Sequence, residues 1–108
     1  MTQEIFGAKW QDDVKAVAVA NADLELAKNA TETLQVYAVF GGGVASRMMD
    51  NSNFKFAVES GTSASVAENT GVITASSTAG NTVISVTLND ATGQPTDKIG
   101  YANVTVIG

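Results

Sequence analysis

A chain of 108 residues matches the common size of one domain and is long enough to bury a sizeable core. It contains no cysteine and no histidine, which excludes disulfides, thiolate metal sites, a cysteine nucleophile and the usual general base. A net charge of −5, with six basic residues scattered singly, leaves no cationic patch to neutralise nucleic-acid phosphates.

Residues 1–13 read as an N-terminal arm and residues 14–108 as the domain. The arm lacks the basic flank and apolar stretch of a signal peptide, and no apolar run in the chain reaches the ~18 residues of a membrane span. Ile5, Phe6 and Trp10 stand in this arm ahead of the first strand. They are candidates to dock on a partner, tryptophan being enriched at interface hot spots. The alternative is that the arm folds back and covers an edge strand with its aromatics.

Alternation with a two-residue period begins at Val14–Val19 and continues in a short run over Leu24–Leu26. The alanines between Asp12 and Lys28 also invite a helical reading. Val17 and Val19 alternate, however, and Asn21 and Asp23 break the helical face, so strands are expected. From Thr33 to Phe40 the side chains of Leu34, Val36, Ala38 and Phe40 share one face, and Gly41, Gly42 and Gly43 stop the run.

A long connection, 41–53, follows and carries Val44, Arg47, Met48 and Met49. Long loops at the end of a sandwich often bind, and adjacent methionines beside an arginine make an adaptable contact surface. The competing reading is a loop whose methionines cover the core. Asp50-Asn51-Ser52-Asn53 offers oxygen atoms but lacks the spacing of a calcium loop, so it reads as a turn, as do Asn89-Asp90 and Asp12-Asp13.

Phe54–Val58 places Phe54, Phe56 and Val58 on one face, with Lys55 and Ala57 opposite. Shorter strands are expected at Ser65–Ala67 and, after Gly71, at Val72–Ala75. Thr82–Leu88 sets Ile84, Val86 and Leu88 against Val83, Ser85 and Thr87. Tyr101–Ile107 sets Ala102, Val104 and Val106 against Tyr101, Asn103 and Thr105. These last two runs are expected to pair across the turn-rich stretch 89–100, which holds the lone proline, Pro95.

The sum is an all-β chain of about seven or eight strands, the number a two-sheet β-sandwich of this length requires. The predicted core is Val17, Val19, Leu24, Leu26, Leu34, Val36, Ala38, Phe54, Phe56, Val66, Val72, Ile84, Val86, Val104 and Val106. Lys15 on the first strand and Asn103 on the last are the residue types of an intramolecular lysine–asparagine crosslink, but no buried carboxylate is placed beside them. A solvated lysine and a strand asparagine are expected instead.

The order of motifs between Lys15 and Ile107 resembles the bacterial immunoglobulin-like domain, group 2. The motifs are Val17-Ala18-Val19, Leu24-Glu25-Leu26, Glu32-Thr33-Leu34-Gln35-Val36, Ala64-Ser65-Val66-Ala67, Asn69-Thr70-Gly71-Val72-Ile73-Thr74-Ala75, Ala79-Gly80-Asn81-Thr82-Val83-Ile84 and Ala102-Asn103-Val104-Thr105-Val106. Phe56 stands where that family usually has tryptophan, and the 41–53 connection is longer than the family's.

The resemblance implies an immunoglobulin-like two-sheet β-sandwich of the kind found in phage virion proteins and bacterial surface adhesins. With an initial methionine and no secretion signal, the expected role is a virion structural protein assembled in the host cytoplasm: a capsid decoration or a fibre- or tail-associated component. Its expected partners are a capsid or tail protein and host cell-surface polysaccharide, with symmetric homo-oligomers natural on a virion. The alternative is a spacer or receptor-binding module of an adhesin on the bacterial cell surface. No catalytic, metal or cofactor residue is expected; the candidate partner-binding residues are Ile5, Phe6, Trp10, Arg47, Met48 and Met49.

Overall fold

A computed structural model describes residues 10–42 and 45–107. The described chain is all-β. A 3-10 turn, Trp10–Asp13, leads into β1 (Val14–Val19), followed by β2 (Asp23–Ala27), β3 (Thr31–Thr33), β4 (Val36–Phe40) and β5 (Arg47–Met48). A second 3-10 turn, Asn51–Asn53, precedes β6 (Phe54–Ser60), β7 (Ala64–Val66), β8 (Val72–Ala75), β9 (Gly80–Asn89) and β10 (Pro95–Ile107). The alanine-rich segment after Asp12 is thus two strands, because Asn21 and Asp23 sit at the reversal between them.

The strands form three sheets, ordered β2-β10-β9-β6, β1-β4-β5 and β3-β8-β7. Only β2 and β10 pair in parallel; every other described pairing is antiparallel. The two smaller sheets lie over the inner face of the four-stranded one, a sandwich-like arrangement. At one end β1 crosses β10 so closely that a Cβ on Gly100 would stand 2.8 Å from the carbonyl oxygen of Val17. Only a glycine permits that approach.

Inward positions follow the two-residue period. Thr82, Ile84, Val86 and Leu88 of β9 are buried with Ala102, Val104 and Val106 of β10, and Phe54 and Phe56 of β6 join them. The two phenyl rings meet edge-on, with centroids 6.5 Å apart. One continuous hydrophobic cluster includes these residues and reaches Val14, Val17 and Leu26 as well as Ile73 and Ala75.

The described residues contain ten strands rather than seven or eight. Part of the excess is the two-residue β5. The rest arises because the run from Thr33 to Phe40 is not one strand. Thr33 ends β3, paired with β8, while Val36 begins β4, paired with β1. Leu34, Val36, Ala38 and Phe40 are nevertheless all buried, so the alternation survives a change of sheet.

Two expectations need correction. In β8 the core residues are Ile73 and Ala75, both fully buried, while Val72 is half-buried. Val72 immediately follows Gly71, whose left-handed backbone (φ +72) resets which side faces inward. Pro95 also lies in a strand rather than a turn. It is the first residue of β10, where its missing N–H interrupts no ladder.

Candidate interaction surfaces

Of the predicted partner-binding residues, Ile5 and Phe6 lie outside the described residues, as does Val44. Trp10 opens the 3-10 turn that feeds β1. In the same turn the Gln11 side-chain oxygen is buried without a hydrogen-bond partner among the described residues.

Arg47 and Met48 form β5, opposite Ala38 and Tyr37, at the outer edge of the β1-β4-β5 sheet. Both are exposed, Met48 by 58%. The neighbouring methionine behaves differently. Met49 donates its N–H to the Val36 carbonyl at 3.1 Å and packs half-buried against the core. Met48 thus faces solvent, and Met49 covers the interior.

The polar cluster that follows is a turn with a structural task. The Asn51 amide donates to the carbonyls of Leu34 and Thr70, both at 2.8 Å, and the Asn53 amide donates to the Asp50 carbonyl at 3.0 Å. Amide nitrogens directed at carbonyls are the reverse of what a cation requires. In the turn between β9 and β10, Asp90 Oδ1 accepts from the Thr92 N–H and hydroxyl and from the Gln94 N–H. The Thr92 hydroxyl first, then the Gln94 amide, hold this carboxyl below the usual carboxylate value.

Among the described residues no group of three or more acidic side chains is placed to hold a metal ion. Two ion pairs lie at the surface, Lys55 with Glu68 at 3.3 Å and Lys98 with Asp97 at 2.8 Å. Lys98, by hydrogen bond and by charge, lowers the Asp97 pKa. Lys15 is exposed on β1, its stem lying along Gly41, while the Asn103 amide is engaged by Asn81.

Among the described residues the interior carries one polar pair. Thr82 Oγ1 accepts the N–H groups of Ser63 and Ala64 at 3.0 and 3.1 Å and lies 2.7 Å from Ser63 Oγ. With both lone pairs of Thr82 engaged by amides, its hydroxyl proton is the one left to bridge to Ser63. This knot ties the 61–64 connection to β9.

A surface not singled out from the sequence is the outer face of the four-stranded sheet. Tyr101, Ile99 and Ile107 project there and are 53%, 44% and 49% exposed. Beside them Asn81 Nδ2 donates to Asn103 Oδ1, and the Thr105 hydroxyl donates to Asn81 Oδ1, each at 3.1 Å. The available signal was the alternation of β10 itself, which places a tyrosine on the face opposite Ala102, Val104 and Val106.

No protein-family model matches this chain, and no curated protein matches it.

Proposed function

We propose that this protein is a non-enzymatic, immunoglobulin-like virion component, a capsid decoration or a fibre- or tail-associated protein that holds its partner through its surface and contacts the host weakly. One observation carries the non-enzymatic part: among the residues whose side chains the structure describes, no aspartate, glutamate, lysine or arginine is buried, and the buried polar residues are only Ser63 and Thr82. Catalytic acids and bases are tuned by burial and by close charged neighbours. Here the carboxylates and ammonium groups stand in water, and the two lowered carboxyls lie at the surface, Asp90 in the turn before β10 and Asp97 on β10.

The virion setting rests on the motif order from Lys15 to Ile107 and its resemblance to immunoglobulin-like modules of phage particles. On this reading the edge strand Arg47–Met48 supplies one contact and the segment ahead of Asp13 another.

The test mixes purified protein with phage particles lacking it and measures co-sedimentation. Full-length protein is compared with a version beginning at Asp13 and with the double variant Arg47→Ala/Met48→Ala. Saturable association that weakens in either variant supports the reading. Absence of association with capsids and tails, together with binding to bacterial surface receptors, replaces it with the adhesin role; turnover of a small substrate by the pure protein overturns the non-enzymatic part.

A further inference from the structure

We infer that the outer face of the β2-β10-β9-β6 sheet is a platform for a neutral glycan chain, centred on Tyr101. The inference rests on the surface-binding reading above and assigns it a face and a ligand class.

The pairing register sets out the platform row by row. Tyr101 lies opposite Ser85, which lies opposite Ala57. Ile99 lies opposite Thr87; Asn103 lies between Val83 and Asp23; Thr105 lies between Asn81 and Glu25. Tyr101 is thus flanked across the sheet by the small residues Ser85 and Ala57. The hydrogen bonds among Asn81, Asn103 and Thr105 orient both amides, and the Asn103 Nδ2 has no partner among the described residues. An aromatic ring for the C–H faces of a sugar thus sits one outward position from amide and hydroxyl groups that match its hydroxyls.

Charge and size select the occupant. The outward positions of β9 and of β10 from Ile99 to Ile107 carry no charge; Lys55 and the exposed Glu59 stand on one flanking strand and Asp23 and Glu25 on the other. With a net charge of −5 for the chain, a polyanion is disfavoured. Four strands at ~4.8 Å spacing and a run of nine residues at ~3.4 Å each bound a face of at most ~590 Å², and β2 and β6 are shorter than that run. That is below the ~800 Å² per partner of a stable protein interface and ample for a few sugar rings. Both central strands are interior to the sheet, so the platform is rigid before the ligand arrives.

The experiment is affinity electrophoresis of the full chain through gels containing a soluble β-glucan, a galactomannan, dextran or the polyanion alginate, followed by amide chemical-shift mapping with whichever polysaccharide retards it. The expected result is retardation by at least one neutral polymer, with shifts confined to β9 and β10 around Tyr101. Tyr101→Ala should weaken it at least tenfold, Tyr101→Phe should keep most of it, and Glu32→Gln, exposed on β3 of another sheet, should leave it unchanged. No retardation by any neutral polymer, retardation by alginate alone, or retardation indifferent to Tyr101→Ala overturns the platform. Particle association separates this inference from the broader reading: Tyr101→Ala protein that still co-sediments with capsids while no glycan binds removes the platform and leaves the virion role standing. Glycan binding without capsid association does the opposite.

Discussion

In the β9–β10 ladder, backbone amides and carbonyls find one another. From Ile99 to Val106 the residues of β10 face those from Thr87 back to Gly80 in unbroken antiparallel register. The crossover from Thr33 to Gln35 has no such ladder, and the chain satisfies itself by other means. The Thr33 carbonyl accepts from the Asn21 amide, the Leu34 N–H donates to the Gly71 carbonyl, and the Leu34 carbonyl accepts from the Asn51 amide. The Gln35 N–H then donates to Asn21 Oδ1, and the Gln35 carbonyl accepts from the Ala20 N–H. Two asparagine side chains thus complete the backbone where the chain leaves one sheet for another. A strand's inside and outside are a local property of its residues, whereas the sheet it joins is decided by distant polar groups that meet it.

The largest expected effect tests what the two regions share. Phe56, fully buried on β6, packs against Gly71, the residue whose carbonyl receives Leu34. Phe56→Ala should cost about 3–5 kcal/mol in urea unfolding. Gly71→Ala approaches the same contact from the other side: its Cβ would stand 2.8 Å from Phe56 Cζ, on a backbone with φ +72. Strain and overpacking of about 1–3 kcal/mol each are expected. Combining Gly71→Ala with Phe56→Leu should recover part of the overpacking and none of the strain, and strict additivity of the two changes would show that ring and glycine do not press on each other.

Next comes the buried hydroxyl knot. Thr82→Val keeps the shape of the side chain and strands the amides of Ser63 and Ala64, at about 1–3 kcal/mol for each group left unsatisfied. Thr82→Ser retains the oxygen and should lose far less. A larger loss for serine than for valine would mean that the methyl group, not the hydroxyl, holds residues 61–64 to β9.

A smaller and more local effect is expected at the crossover itself. Asn21→Ala leaves the Gln35 N–H without its acceptor, and Asn51→Ala removes donors from two carbonyls; each should cost about 1–2 kcal/mol. Hydrogen exchange gives the sharper reading. The Leu34 and Gln35 amides should exchange faster in these variants while those of β9 and β10 keep their protection relative to global stability. Uniform acceleration throughout would show that crossover and ladder open as one unit.

These particulars explain what was legible in the residues. Alternation located most of the core, because burial of every second side chain depends only on neighbours along the strand, although Val14, Ile73 and Leu88 are buried without belonging to the predicted core. It even placed Leu34 and Val36 inside across a break in the strand. The break itself was hidden, since Asn21 and Asn51 look like any turn asparagine until the chain brings them to residues 33–35. Val72 was misassigned for a related reason: Gly71 turns the backbone into the left-handed region and so restarts the inside–outside count. At the candidate surfaces, the exposed side of Tyr101–Ile107 was readable from the same period. The division of labour between Met48 and Met49 was not, because it depends on a single hydrogen bond from Met49 to Val36.

The smallest expected effect belongs to the turn that closes the ladder. Asp90 gathers three donors onto one oxygen, and its pKa in the folded chain lies below the usual carboxylate value. Because the folded value is the lower one, the carboxylate's contribution is fully present above the unfolded pKa and is lost as pH falls through the folded pKa. Asp90→Asn keeps an oxygen acceptor and removes the charge. The variant should therefore be slightly less stable than the parent near neutrality, and the two should converge in acid below the carboxylate range. Since the group is exposed, added salt should shrink the gap at neutral pH. A gap that persists in acid would mean that the asparagine fits the turn less well for reasons unrelated to charge. A gap that widens as pH falls would contradict the direction of the shift itself.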